Sequence, residues 1–158
     1  MTWRPDLTVA AIVQRDDRFL IVEERIRNRL VFNQPAGHVE DGESIVDAVV
    51  RETLEETAWR FQPRHLLGLY LWRNADTGRS FLRVAISGEV TGHEPRPLDH
   101  GIVAAHWLSR AQLVERGTRL RNPLVLQCID DHLAGRQHDL SELSYLGAPA
   151  PALASRSA

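Results

Sequence analysis

Residues 33–59 read NQPAGHVEDGESIVDAVVRETLEETAW. A short β-rich run ends against Pro35, a turn containing Gly37 and Gly42 follows, and from Glu43 to Thr57 the apolar positions take up a helical period. At about 100° per residue, Val46, Val49, Val50, Thr53, Leu54 and Thr57 share one arc, which is the expected core face. Glu52, Glu55 and Glu56, spaced i, i+3 and i+4, fall together on a neighbouring arc, while Asp47 and Arg51 are expected to point elsewhere. Like charges at these spacings each destabilise a helix by roughly 0.2–0.5 kcal/mol. All three also sit in the C-terminal half of the helix, where its dipole disfavours anions. On spacing alone the patch fits a solvated acidic face or a site for a hard divalent cation, which takes carboxylate oxygens.

Outward from this stretch the chain alternates between strands and helices. Leu7–Val13 and Phe19–Glu23 are β-rich runs joined by Arg15-Asp-Asp-Arg18, which reads as a hairpin. Leu30–Gln34 is a short third run. His65–Arg73 and Ser80–Val90 form a second pair across Asn74-Ala-Asp-Thr-Gly78. In the latter strand Phe81, Arg83 and Ala85 share one face and Leu82, Val84 and Ile86 the other. Gly92–Gly101 is loop, and Ile102–Leu108 is the last strand. Two further helices are expected: Ser109–Arg116, capped by Ser109 and stopped by Gly117, and one from Asn122 as N-cap and Pro123 to near Gly135. Together these give an α/β protein with a mixed sheet and helices on its faces. One domain is expected over residues 1–146, with a disordered tail over 147–158.

Here the residues carry a resemblance. Gly37, Glu43, Arg51, Glu52, Glu55 and Glu56 stand in the register of the Nudix box. The chance of six such matches is on the order of 10⁻⁷ per starting position. Over roughly Thr2 to Arg136 the chain resembles the Nudix hydrolases, which implies an α/β/α sandwich with a mixed β-sheet. Ala58 and Trp59 depart from the box, which ends in glycine and an aliphatic residue. An alanine there would be strained by about 1 kcal/mol or so if the chain needs a positive φ.

The resemblance also implies a chemistry. Glu52, Glu55 and Glu56, with the Gly37 carbonyl, would bind Mg²⁺ (or Mn²⁺), and Glu43 with Arg51 would form a structural ion pair. The catalytic set would be Glu52, Glu55, Glu56 and Asp99, with Glu52 or the outlying Asp99 as general base. Asp99 also reads as an ordinary loop residue. The reaction would be attack of water on phosphorus in a phosphoanhydride. Asn33–His38, Phe81-Leu-Arg83 and Leu120–Val125 resemble the NudJ-type phosphatases of that family. That implies nucleoside di- and triphosphates, thiamine diphosphate or its hydroxymethylpyrimidine diphosphate precursor as substrates. Arg25, Phe81 and Arg83 are the expected substrate contacts, with Arg83 on phosphate, and Trp72 reads as a pocket wall or a half-buried strand residue.

Composition narrows the alternatives. A net charge of −2 with no run of like charge argues against a nucleic-acid partner, and no segment approaches the roughly 20 apolar residues of a membrane span. The expected location is the cytoplasm and the expected partner a small molecule, with monomer and homodimer both open. The single cysteine, Cys128, excludes a cysteine-based zinc site and reads as a buried small hydrophobe. Its distance from the box argues against a diphosphate isomerase that needs a catalytic thiol. A non-catalytic ligand-sensing domain is the alternative, set against the retention of all three glutamates.

Overall fold

The computed structural model describes residues 2–148, so the expected tail lies outside the described residues beyond Ala148. In chain order the elements are β1 (Asp6–Arg15), β2 (Arg18–Ile26), β3 (Arg29–Asn33), β4 (Ala36–His38), α1 (Ile45–Thr57), β5 (Trp59–Arg73), β6 (Ser80–His93), β7 (Ile102–Ser109), α2 (Arg110–Arg116) and α3 (Leu124–Leu133). The sheet runs β3-β2-β1-β6-β5, with β4 added to β1 and β7 to β2. β1 and β6 are parallel, from Asp6↔Phe81 to Val13↔Gly88, and the other pairings are antiparallel.

The sheet forks at β1. Its C-terminal end pairs with β2 at Gln14↔Phe19, while its N-terminal half pairs with β4 at Thr8↔His38, Val9↔Gly37 and Ala10↔Ala36. Pro35 holds the crotch of the fork, its carbonyl accepting from the Ala11 N–H at 2.9 Å. β3 and β4 are consecutive in sequence yet follow different prongs, and a gap opens between them.

Both faces of the sheet are covered, as period-two alternation requires when successive side chains point opposite ways. Ile12, Ile21, Leu67 and Ala85 pack with Leu113 of α2 and Cys128 and Ile129 of α3. Val9, Ala11, Leu20, Val84 and Ile86 pack on the other side with Ala48 and Val49 of α1. The faces assigned to β6 from sequence are those observed, and Cys128 is buried.

Several boundaries move. α1 begins at Ile45 rather than Glu43, because the Ser44 hydroxyl accepts from the Asp47 N–H at 3.0 Å and ends the extended backbone there. β5 starts at Trp59 rather than His65. Its pairing with β6 shifts register around Arg60/Phe61, Pro63/His65 and Leu66/Gly68, and Pro63 is tolerated at such an irregularity on an edge strand. β4, read from sequence as turn, is a three-residue strand. In α3 the N-cap place expected of Asn122 is taken by Pro123, one residue later, while the Asn122 Oδ1 accepts from the Leu124 N–H at 3.0 Å.

Candidate active site

On α1 the expected core arc is the packed one. Val49, Thr53 and Thr57 are buried together with Ala48, and the Thr53 and Thr57 hydroxyls fold back onto the Val49 and Thr53 carbonyls. Glu56 borders that arc and is itself only 8% exposed. Its sole hydrogen bond among the described residues comes from the Ala36 N–H, at 2.9 Å to Oε2. Burial pushes the Glu56 carboxyl well above the ordinary carboxylate range, against the pull of the Ala36 amide, and the charges of Glu52, Glu24 and Asp99 push the same way. Glu52 is also raised, first by burial, with Arg51 opposing and Glu55 and Asp99 adding to the rise.

Gly37 explains how a strand lies so close to this helix. A Cβ at position 37 would overlap the Glu52 carboxylate where it now lies, so any other residue there would displace that side chain from beside β4. Ala36 turns its main-chain groups toward α1, its N–H meeting Glu56, whereas those of Gly37 face Val9 in the ladder with β1, so the carbonyl expected from Gly37 points away from the glutamates.

Arg51 does not point away, as the helical wheel suggests. Its Nε and Nη2 donate to the Glu43 carboxylate at 3.0 and 2.7 Å, and Nη2 also donates to the His38 carbonyl at 3.0 Å. Nη1 donates to Glu52 Oε1 at 2.9 Å and Glu55 Oε2 at 3.1 Å. The Glu43 bond, first, and then Glu52 raise the Arg51 pKa further, and Arg51 holds the Glu43 carboxyl below its usual range. Starting outside the helix, Glu43 lies free to reach back eight residues, and the expected ion pair is present. Among the described residues no three acidic, histidine or cysteine side chains already converge around a point that could hold an ion. Arg51 supplies one positive charge where three glutamates gather. The donor set of carboxylates and a main-chain carbonyl is all hard oxygen and fits a hard divalent ion.

Asp99 arrives from the β6–β7 connection. Its N–H donates to the Glu55 carbonyl at 2.8 Å and its Oδ1 accepts from the His100 N–H, which fixes it at the end of α1. Its carboxylate is exposed yet close enough to raise both Glu52 and Glu56. Glu24, one residue past the run read as the second strand, was not among the expected site residues. It shares the α1 side of β2 with Leu20, so strand alternation was the available signal for its approach to Glu56.

The fork between β3 and β4 opens into a cleft of about 680 Å³ that reaches from Glu24 and Gly37 to Trp72, Phe81 and Arg83. Phe81 and Trp72 stack at 5.7 Å between ring centroids. Arg25 is a correction to the expected contacts: its side chain is exposed and does not line the cleft, whereas Arg27 and Arg29 beyond it do. Arg83 lines the cleft on the α3 side of the sheet, the face opposite the glutamates, sharing the parity of Ala85.

The NUDIX domain family model matches residues 4–127. Phosphatase NudJ of Escherichia coli strain K12 is 35% identical over 139 residues, covering 87% of this chain and 90% of its own length. The Shigella flexneri protein of the same name matches equally. Among solved structures, a NUDIX hydrolase from Nitrosomonas europaea superposes with a TM-score of 0.88 at 46% identity, covering 90% of this chain and 97% of that one. The NUDIX domain of Shewanella oneidensis NrtR, solved with ADP ribose, superposes with a TM-score of 0.67 at 16% identity over 84% of this chain and 90% of that one, a likeness of fold alone.

Proposed function

The chain belongs to the NUDIX family and is a hydrolase of phosphoanhydride substrates, and from that premise we propose that it is a Mg²⁺-dependent enzyme acting on small di- and triphosphates. Nucleoside di- and triphosphates, thiamine diphosphate and its pyrimidine precursor are the candidate substrates, and Mn²⁺ is an alternative ion. The observation that carries the reading is Glu56: a carboxylate buried beside Glu52 and Glu24 with one amide as its partner. Burying a charge without a counter-charge is strongly unfavourable.

Glu52, Glu55 and Glu56 would hold the ion together with the Ala36 carbonyl, which faces α1 as the Ala36 N–H does, in place of the expected Gly37 carbonyl, which is turned to Val9 in the ladder with β1. When bound, a divalent cation neutralises the diphosphate and acidifies water beside it. The chain supplies the rest. Gly37 lets the substrate phosphates approach α1 through the fork, and Arg51 and Glu43 keep the 38–43 loop against the helix. Glu52 or Asp99 accepts the proton from the attacking water at its carboxylate oxygen. Water forms the new bond to phosphorus in line as the bond to the bridging oxygen breaks, and the leaving phosphate carries the electron pair away.

Phosphate release from a nucleotide panel, run with Mg²⁺, with Mn²⁺ and with EDTA, tests this directly. Activity should require the ion, and Glu56→Gln should lower turnover by at least about 100-fold while leaving the circular dichroism spectrum unchanged. Undiminished turnover in EDTA, or in a folded Glu56→Gln protein, would overturn the proposal.

A further inference from the structure

Arg83 is a buried ion that the chemistry at the glutamates leaves unused. It is 4% exposed and forms no ion pair among the described residues. Its Nη1 donates to Gln34 Oε1 at 3.1 Å and its Nη2 to Asn33 Oδ1 at 3.2 Å, while Nε has no partner. A guanidinium can only donate, so both amides must turn their oxygens toward it. Gln34 supports that orientation independently, since its Nε2 then donates to the Val125 carbonyl at 2.7 Å. The Asn33 nitrogen, forced to face the other way, meets no acceptor among the described residues. N–H donors therefore predominate in this wall of the cleft, the Asn33 and Gln34 oxygens being already engaged by Arg83, with the Trp72–Phe81 stack lining the cleft as well.

Arg83 also lies too far around the sheet to act on the reacting phosphates. It sits on the α3 face, whereas its neighbour Val84 packs with α1, and the sheet itself stands between Arg83 and the glutamates. A substrate entering the fork would place its diphosphate by Gly37 and Glu24 and its organic end here.

Building on the proposed hydrolase activity, we propose that this wall selects the organic group. It would take a flat heterocycle against Trp72 and Phe81, with an edge of hydrogen-bond acceptors facing Arg83 and Asn33. Oxo-substituted nucleobases of the hypoxanthine and guanine type present such an edge. Amino-substituted rings, adenine and the aminopyrimidine of thiamine among them, set an N–H against an N–H and leave a buried donor unpaired. Arginine paired with two adjacent ring acceptors discriminates by about tenfold or more against the wrong base.

Inosine and adenosine triphosphates differ at this edge by one oxo-for-amino exchange and share the rest of the molecule. With the Mg²⁺-loaded full chain, kcat/KM for inosine triphosphate should exceed that for adenosine triphosphate by about tenfold or more. In Arg83→Gln the two values should converge, chiefly through a rise in KM for inosine triphosphate. A merely structural loss would lower both substrates alike and preserve their ratio. Should Arg83→Gln fail to fold, the wild-type ratio decides by itself, and Arg83→Lys gives the intermediate case.

Binding of inosine and adenosine diphosphates in EDTA, followed by calorimetry, separates this inference from the activity on which it builds. A binding preference without turnover of any nucleotide would leave the selection standing and remove the proposed reaction. Turnover with equal kcat/KM for the two rings, or a preference for adenosine, would overturn the selection and leave the reaction intact. Equal binding and no turnover would overturn both.

Discussion

Glu56 shows what one residue contributes in each state of the protein. In the unfolded chain its carboxyl loses its proton near pH 4.3, as an ordinary glutamate does. In the metal-free fold burial holds that proton to a higher pH. Between those two points the fold binds more protons than the unfolded chain, so the stability from this group is full below the unfolded pKa and falls as pH rises toward the folded one. Glu56→Gln cannot ionise and can still accept from the Ala36 N–H. It should therefore melt above the wild type in EDTA at pH 7–8, with the gap closing toward pH 4. Each kcal/mol relieved corresponds to about 2–4 °C for a domain of this size. A variant that melts below wild type at pH 7.5 would contradict the assignment of Glu56 as an unpartnered buried acid. Ala58 carries a smaller strain. It caps α1 at φ 60° with its N–H donating to the Leu54 carbonyl, in a conformation that suits glycine. Ala58→Gly should raise the urea midpoint by about 0.5 kcal/mol equivalent with an unchanged slope, since the relief exceeds the added chain entropy only modestly.

The element that organises the site is α1 with the loop before it. Arg51 ties the two together through Glu43 and the His38 carbonyl while also holding Glu52 and Glu55. Arg51→Met should destabilise the protein by about 2–3 kcal/mol, because removing one partner of a part-buried network leaves the others uncompensated. Hydrogen exchange should quicken in residues 38–43 before the rest of the chain, and uniform quickening would show that Arg51 does not pin that loop. The helix and its glutamate spacing were legible in the sequence because period and charge coincide there. The reach of Arg51 was not: a helical wheel places Cβ atoms, whereas a guanidinium at the end of a long side chain extends across the neighbouring arc. β4 escaped for a different reason. Three residues bear no alternation of their own, and Ala36–His38 becomes a strand only because β1 offers a free edge there. Arg83 was placed on the correct strand face from alternation, but its partners Asn33 and Gln34 lie some fifty positions away in sequence, and no local pattern links them.

At the scale of the whole molecule, one forked sheet serves two separate tasks. Its α1 side gathers acids and its α3 side presents Arg83, and the gap between β3 and β4 is the passage that connects them. The metal-free fold keeps an excess of negative charge on the first side, which Arg51 meets only in part. Anything that binds the native state and not the unfolded chain stabilises it by mass action, about 2.7 kcal/mol at 100 times its Kd. Mg²⁺ should thus raise the melting temperature by about 5–10 °C at such an excess. Mn²⁺, which suits the same carboxylate and carbonyl oxygens, should do the same. Because an ion must draw Glu52 and Glu55 away from Arg51, the shift should shrink by more than half in Glu56→Gln, which enters that competition with one charge fewer. Arg83→Lys, on the other face, should retain the full shift. Differential scanning fluorimetry of the three proteins across a Mg²⁺ titration distinguishes these outcomes. Equal shifts in wild type and Glu56→Gln would mean that the ion is held somewhere other than the stripe of glutamates on α1.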